Sequence, residues 1–256
     1  MKINFVKYQG TGNDFVMLDN MTGKFDSLTI EQIRFLCDRK LGVGADGLIK
    51  ISKDPNADFY VDYFNADGSQ SFCGNGARCS TAFAEKIGLI DSSTRFNAID
   101  GFHRAEIANG IVRVEMHDVA KIDQISDDFF VQTGSPHYIH LKAENDQDIV
   151  SYGRLIRYSE KFQKEGVNVN YLTVLSKCEI EVETYERGVE DETLSCGTGV
   201  TACGLIHMSL NDTISNVSVK TKGGNLSVTA DRKGEGFTNI WLSGPAILVF
   251  DGSIEV

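Results

Sequence analysis

Two short turns carry most of the chemistry legible in this sequence: Cys73-Gly74-Asn75-Gly76 and Cys196-Gly197-Thr198-Gly199. Each opens a run of small and apolar residues, Ala77-Arg78-Cys79-Ser80-Thr81-Ala82-Phe83-Ala84 in the first case and Val200-Thr201-Ala202-Cys203 in the second. The composition of both runs predicts helices, from about Asn75 to Ile87 and from Thr198 to Leu210. A thiol at a helix N-terminus sits in the positive end of the macrodipole, which lowers its pKa from about 8.5 towards neutrality. The flanking glycines let backbone N–H groups point outward, making a nest for a carboxylate that needs no cationic side chain. A single cysteine in such a place is more often a small buried hydrophobe. Two at matched turns suit a reaction in which one thiolate removes a proton from carbon and one thiol delivers a proton to the opposite face. That is general acid–base catalysis with inversion at a stereocentre, and its titration belongs to the dyad.

The remaining cysteines, Cys37, Cys79, Cys178 and Cys203, lie in apolar, strand or helix-body contexts and are assigned to packing. No C-x-x-C pair is present, and the five histidines form no H-x-x-x-H pair, so no metal is expected. The two turns lack the third glycine of a dinucleotide-binding G-x-G-x-x-G, and no cofactor is expected.

The elements that must position the cysteines repeat. Cys73 and Cys196 are 123 residues apart, nearly half of the 256-residue chain. At almost the same offset, Gly12-Asn13-Asp14-Phe15-Val16 falls on Gly134-Ser135-Pro136-His137-Tyr138, and Asp46 falls on Asn168. The alternating run Phe59–Asn65 falls on Glu181–Arg187, and Gly101 falls on Gly223. This constant register predicts two homologous lobes, residues 1–118 (completed by a C-terminal strand, 246–256) and 119–245. Two-residue alternation marks strands at Ala105–Ala108 and Ile111–Met116, joined by the hairpin signal Asn109-Gly110, and at Val217–Lys220, Asn225–Thr229 and Asn239–Leu242. One further helix is capped by Thr29 and runs from Ile30 to Asp38. The expected class is α+β: two pseudo-symmetric lobes, each a strand-rich, barrel-like sheet around one central helix.

Composition supports a globular chain, with 41% hydrophobic and 24% charged residues. A formal charge of −11 argues against nucleic acid or an anionic lipid surface as partner. With no apolar h-region and no 18-residue apolar run, a cytoplasmic protein off the membrane is expected.

The motifs also carry a resemblance. Tyr8–Phe15 (YQGTGNDF), Gly42–Gly47 (GVGADG), Phe64–Ser69 (FNADGS), Cys73–Cys79 (CGNGARC), Tyr185–Thr193 (YERGVEDET) and Cys196–Gly199 (CGTG) are similar to those of diaminopimelate epimerases, over essentially the whole chain. The resemblance implies a cofactor-independent, bilobal enzyme interconverting LL- and meso-diaminopimelate for lysine and peptidoglycan precursors, with a homodimer left open. It implies acid and base roles for Cys73 and Cys196, and a carboxylate at the reacting centre held by Gly74, Asn75, Gly197 and Thr198. It also implies that Asn13, Asn65, Asn168, Glu186 and Arg187 take the distal amino-acid end; an arginine fork there suits a carboxylate. The sequence departs from the family pattern at Ser135, where an asparagine is usual before Pro136-His137, and at Gly47, where some members carry glutamine. His137 is expected to be structural rather than catalytic. The rivals are a proline racemase or hydroxyproline epimerase, which typically reads C-G-H-G at the first turn, and a non-catalytic amino-acid-binding protein.

Overall fold

Strands dominate because buried and exposed residues alternate through much of the chain, as in Gly101–Ala108 and Ile111–Met116. The computed structural model describes all 256 residues. They fall into two compact units, Met1–Val114 with Gly244–Val256, and Glu115–Ser243.

The first unit begins with an antiparallel pair, β1 (Lys2–Gly10) and β2 (Asn13–Asn20). Helix α1 (Ile30–Cys37) then connects β2 to a parallel neighbour, β3 (Gly47–Ser52). Thr29 and Gln32 close a reciprocal capping box at the start of α1. β4 (Phe59–Asn65) returns antiparallel to β3, and α2 (Gly74–Lys86) crosses over to β5 (Ser93–Ala98), parallel to β4. β6 (Gly101–Ala108) and β7 (Ile111–Met116) form the expected hairpin, with Asn109 and Gly110 both at positive φ, 53° and 76°. α2 is buried continuously from Gly74 to Ala84, and its neighbours include Phe15, Met17, Ile49, Phe59 and Phe96.

The second unit repeats that order of connections. β8 (Asp123–Ile125) and β9 (Asp128–Gln132) lead into β10 (Pro136–Leu141), antiparallel to β9. α3 (Ile149–Arg157) connects β10 to its parallel neighbour β11 (Asn168–Ser176), and β12 (Glu179–Glu186) returns antiparallel. After the short β13 (Asp191–Thr193), α4 (Gly197–Ser209) crosses over to β14 (Asn216–Thr221), parallel to β12. β15 (Gly224–Lys233) and β16 (Gly236–Pro245) follow antiparallel. α4 is buried on every side from Gly197 to Met208, as a helix apolar all round must be. Finally β17 (Ile247–Glu255) pairs with β1 inside the first unit, from Lys2 opposite Glu255 to Gln9 opposite Ile247.

One element corrects the sequence-based expectation of three helices: α3 is a fourth. Its signal is present in the residues: Asp148 is an N-cap accepting from Ser151 N, and Ile149, Tyr152, Gly153 and Ile156 recur at helical spacing on the packed face. Gly153, a poor helix former, stands where a Cβ would come within 2.4 Å of the Tyr185 side chain. Close packing against β12 thus overrides propensity.

Candidate active site

In the first unit, the turn before α2 holds its cysteine by purely local geometry. Cys73 is the N-cap, extended at φ −134° and ψ 114°; its carbonyl accepts from Ala77 N at 2.8 Å and its sulfur accepts from Gly76 N at 3.4 Å. The N–H groups of Gly74 and Asn75 belong to the first turn, where no preceding helical carbonyl exists to receive them. Asn13, at the start of β2, lies beside this turn. Its Oδ1 is 3.5 Å from Cys73 Sγ and 3.4 Å from Asn75 Nδ2, while its own Nδ2 donates to Asp46 Oδ2 at 2.7 Å. The sulfur therefore has an acceptor for its proton when it is a thiol and a backbone donor when it is a thiolate.

Asp46 is fixed in turn. Arg39 reaches Asp46 at 2.7 Å and grips both oxygens of Asp14, and Lys7 lies 2.8 Å from Asp14. Burial alone would raise the Asp14 carboxyl, but Arg39 and Lys7 outweigh it and hold the group down at about 2.

Arg78, further along α2, was not anticipated as a site residue. It is fully buried, forms no ion pair, and leaves Nε without a partner. Its terminal nitrogens make long contacts to Gly74 O (3.4 Å) and Thr11 Oγ1 (3.3 Å). Burial pulls its pKa down, and anionic Cys79 or Cys73 sulfur would pull it up. An enclosed cation behind the helix head favours an anion at that head, either sulfur or substrate carboxylate. The sequence signal was there: an arginine among small residues in a helix otherwise fit for a core.

In the second unit Cys196 caps α4 with a similar backbone, φ −115° and ψ 112°, and its carbonyl accepts from Val200 N at 2.8 Å. Its sulfur makes no bond to the helix's first N–H groups; instead it lies 3.4 Å from Thr198 Oγ1. Thr198 Oγ1 is 2.9 Å from Nε2 of His137, and Nδ1 of that ring is 2.8 Å from Asn170 Oδ1. Strand register builds this cluster, since His137 on β10 pairs with Asn168 on β11, and Asn170 pairs with Thr184 on β12. Gly199 leaves room for it, because a Cβ there would come within 2.6 Å of Asn170 Nδ2. His137 is fully buried, and desolvation lowers its pKa to about 4, with the nearby Arg187 charge acting the same way against the Asn170 hydrogen bond.

Of the distal-end residues, Asn168 joins this cluster: Oδ1 accepts from Arg187 N at 2.8 Å, and Nδ2 is 3.4 Å from His137 Nε2. The Arg187 guanidinium is exposed and donates to Glu165 O at 3.0 Å; Glu186 accepts from Thr193 Oγ1 at 3.0 Å. Asn65, at the end of β4, donates its amide to Ser69 and Ser71 and accepts from Tyr63 OH at 2.7 Å. Ser135 is half-buried, and its backbone carbonyl accepts from Thr133 N. The helix-body cysteines are buried completely, and desolvation pushes Cys79 up to about 12 and Cys203 up as well. Cys37 rises to about 12 for the same reason, while Cys178 is exposed in the β11–β12 turn.

This fold is shared with racemases and isomerases. A probable proline racemase from Agrobacterium radiobacter, solved with bound carbonate, matches at TM-score 0.72 and 16% identity over 99% of this chain and 93% of the other. A PhzF-family phenazine biosynthesis protein from Bacillus anthracis matches at TM-score 0.72 and 14% identity over all of both chains. At the sequence level the diaminopimelate epimerase family model matches residues 5–124 and 129–249, and the chain belongs to that family. It is 44% identical to the diaminopimelate epimerase of Flavobacterium psychrophilum over 97% of this chain and 98% of that one. It is 40% identical to that of Chlorobaculum tepidum, over 96% and 99%.

Proposed function

We propose that this chain is an isomerase that interconverts LL- and meso-diaminopimelate, with Cys73 and Cys196 as the acid–base pair. The observation that carries the assignment is that each C-G-x-G turn places its cysteine as the N-cap of a buried helix. A thiolate at one head removes the α-proton, and the thiol at the other head delivers a proton to the opposite face of the same carbon. The first sulfur leaves the step protonated and the second leaves it as thiolate, so the centre is inverted and the pair is set for the reverse reaction. The substrate's α-carboxylate is held by the backbone N–H groups of Gly74, Asn75, Gly197 and Thr198, where two helix dipoles favour negative charge. Asn13, Asn65, Asn168, Glu186 and Arg187 are assigned to the distal amino-acid end, Arg187 by exchanging Glu165 O for a carboxylate. The two units are read as copies of one ancestral unit.

No helix is long and apolar enough to cross a membrane, and a cytoplasmic location is part of the proposal. A homodimer is part of it too, supported by four consecutive exposed apolar residues, Ile247–Phe250, on β17.

The test is incubation of the purified protein with LL-diaminopimelate in D₂O without added cofactor. The expected result is the meso isomer, with deuterium entering at one α-carbon. Lysine, which lacks the distal carboxylate, should be a poor substrate. Deuterium entering proline but not diaminopimelate would assign the chain to the racemases instead, and binding without exchange would make it a binding protein.

A further inference from the structure

The hairpin loop between β12 and β13 carries Arg187 and is built around one carboxylate, that of Glu190. Glu186 pairs with Asp191 across the hairpin, leaving Arg187–Glu190 as its loop. Glu190 closes this loop: its backbone N–H donates to Glu186 O at 2.8 Å from a left-handed conformation, φ 59°, that is uncommon for any residue but glycine. Its side chain folds back and receives four donors. Oε1 accepts from Gly188 N at 3.2 Å, inside the loop, and from Arg157 Nε at 3.3 Å, at the end of α3. Oε2 accepts from Tyr185 OH at 2.9 Å, on β12, and from Tyr158 OH at 3.2 Å, just past α3. Burial alone would raise this carboxyl, but the donors, Gly188 N–H foremost, outweigh it and hold the group below its ordinary value.

The same contacts set the direction in which the Arg187 side chain leaves the loop. Its backbone N–H donates to Asn168 Oδ1 at 2.8 Å, and its Cδ runs over Gly166, where a Cβ would stand 2.6 Å away. The Arg157 guanidinium carbon lies 2.9 Å from that same Cβ position, so two arginine side chains pass one glycine together. Of the two, Arg157 is paired with Glu190, whereas Arg187 is exposed and donates to the neutral Glu165 carbonyl. Without Glu190, Arg157 would repel its neighbour and the loop would lose its tie to α3.

We infer that Glu190 is a positioning residue for the Arg187 guanidinium, locking its loop to the end of α3, and that recognition of the substrate's distal carboxylate depends on it. This rests on the proposal that Arg187 takes that carboxylate, and the first test therefore needs no substrate. Hydrogen exchange of backbone amides, read by NMR of the free protein, should show the Arg187 N–H exchanging about tenfold faster in Glu190→Gln, although its own acceptor, Asn168, is untouched. An unchanged rate overturns the inference.

The second test is turnover of LL-diaminopimelate. Glu190→Gln should raise KM about tenfold while kcat stays within about threefold of the wild type. A loss of folded molecules would lower kcat and leave KM alone. The positive charge gained would by itself tighten anion binding, so a raised KM reads the position of Arg187. In Glu190→Gln combined with Arg187→Ala, KM should match that of Arg187→Ala, because Glu190 acts through that side chain. An unchanged KM in the single variant, or effects that add in the double one, overturns the inference. A wild-type protein inert towards diaminopimelate would count against the function instead, and the exchange rates would still decide whether Glu190 locks the loop.

Discussion

α2 and α4 start from nearly identical backbones and surround their cysteines with different chemistry. Both are capped by a cysteine in extended conformation, and both have glycine at the first and third helical positions. They differ at the second residue after the cysteine, Asn75 against Thr198, and again at the fifth. α2 carries Arg78, a buried guanidinium with no carboxylate partner; α4 carries Thr201, whose hydroxyl donates to Gly197 O at 2.9 Å. Asn13, itself held by the Arg39–Asp46 pair, stands beside Cys73, whereas Thr198 and a neutral imidazole stand behind Cys196. A helix head supplies the anion-binding nest in both cases, because that depends only on free N–H groups. The side chains around it give the two sulfurs different neighbours. In a reversible two-base reaction each mixed protonation state of the pair serves one direction, so unequal surroundings would bias which direction is ready.

The largest effect should come from removing either sulfur. Cys73→Ala and Cys196→Ala are each expected to lower turnover with LL-diaminopimelate by about 10²–10⁴-fold or more, as loss of a general acid or base does. Near-normal turnover by either variant, measured by α-deuterium exchange and chiral chromatography, would break the comparison, because only one head would then be chemical.

Next in size is an acid-sensitive term tied to the α4 side. His137 is neutral in the fold, with a pKa lowered from 6.5 to about 4 by burial. The unfolded chain therefore binds the extra proton between those values, and folding stability falls as pH drops from 6.5 to 4. The shift corresponds to about 3 kcal/mol over that interval. Urea unfolding at steps across this range should show the loss, and His137→Gln should flatten it. An unchanged slope in that variant would mean that other groups carry the acid sensitivity.

The smallest expected effect sharpens the contrast most. Arg78→Met replaces a buried, unpaired charge with an apolar side chain, a class of change that is often neutral or stabilising. The urea midpoint should hold or rise, while the Cys73 alkylation midpoint moves up by about one pH unit, because the cation favouring thiolate is gone. An unmoved Cys73 midpoint would show that Arg78 is a packing residue only.

What the sequence by itself determined is local. The two cysteines, the glycines that open their helices, the Asn109-Gly110 hairpin and the Thr29 cap are specified by residues a few positions apart, so the chain declares them without its fold. The helix following each C-G-x-G turn and the offset that pairs the two halves are legible for the same reason. Tertiary structure alone decided what stands around each thiol. His137, Asn168, Asn170 and Thr184 meet because β10, β11 and β12 lie in one particular register, which no local pattern encodes. Arg78 stands out in the sequence as an arginine among small residues, but not as a cation without a carboxylate partner. It is a caged cation only because α2 is enclosed by its own unit's strands. α3 is declared locally too, by the Asp148 cap and the spacing of Ile149, Tyr152, Gly153 and Ile156, although a glycine at its centre lowers its helix propensity. Residue types therefore name the candidate reacting atoms, whereas the protonation of any such group depends on burial and on hydrogen bonds between distant segments, which exist only once the chain has folded.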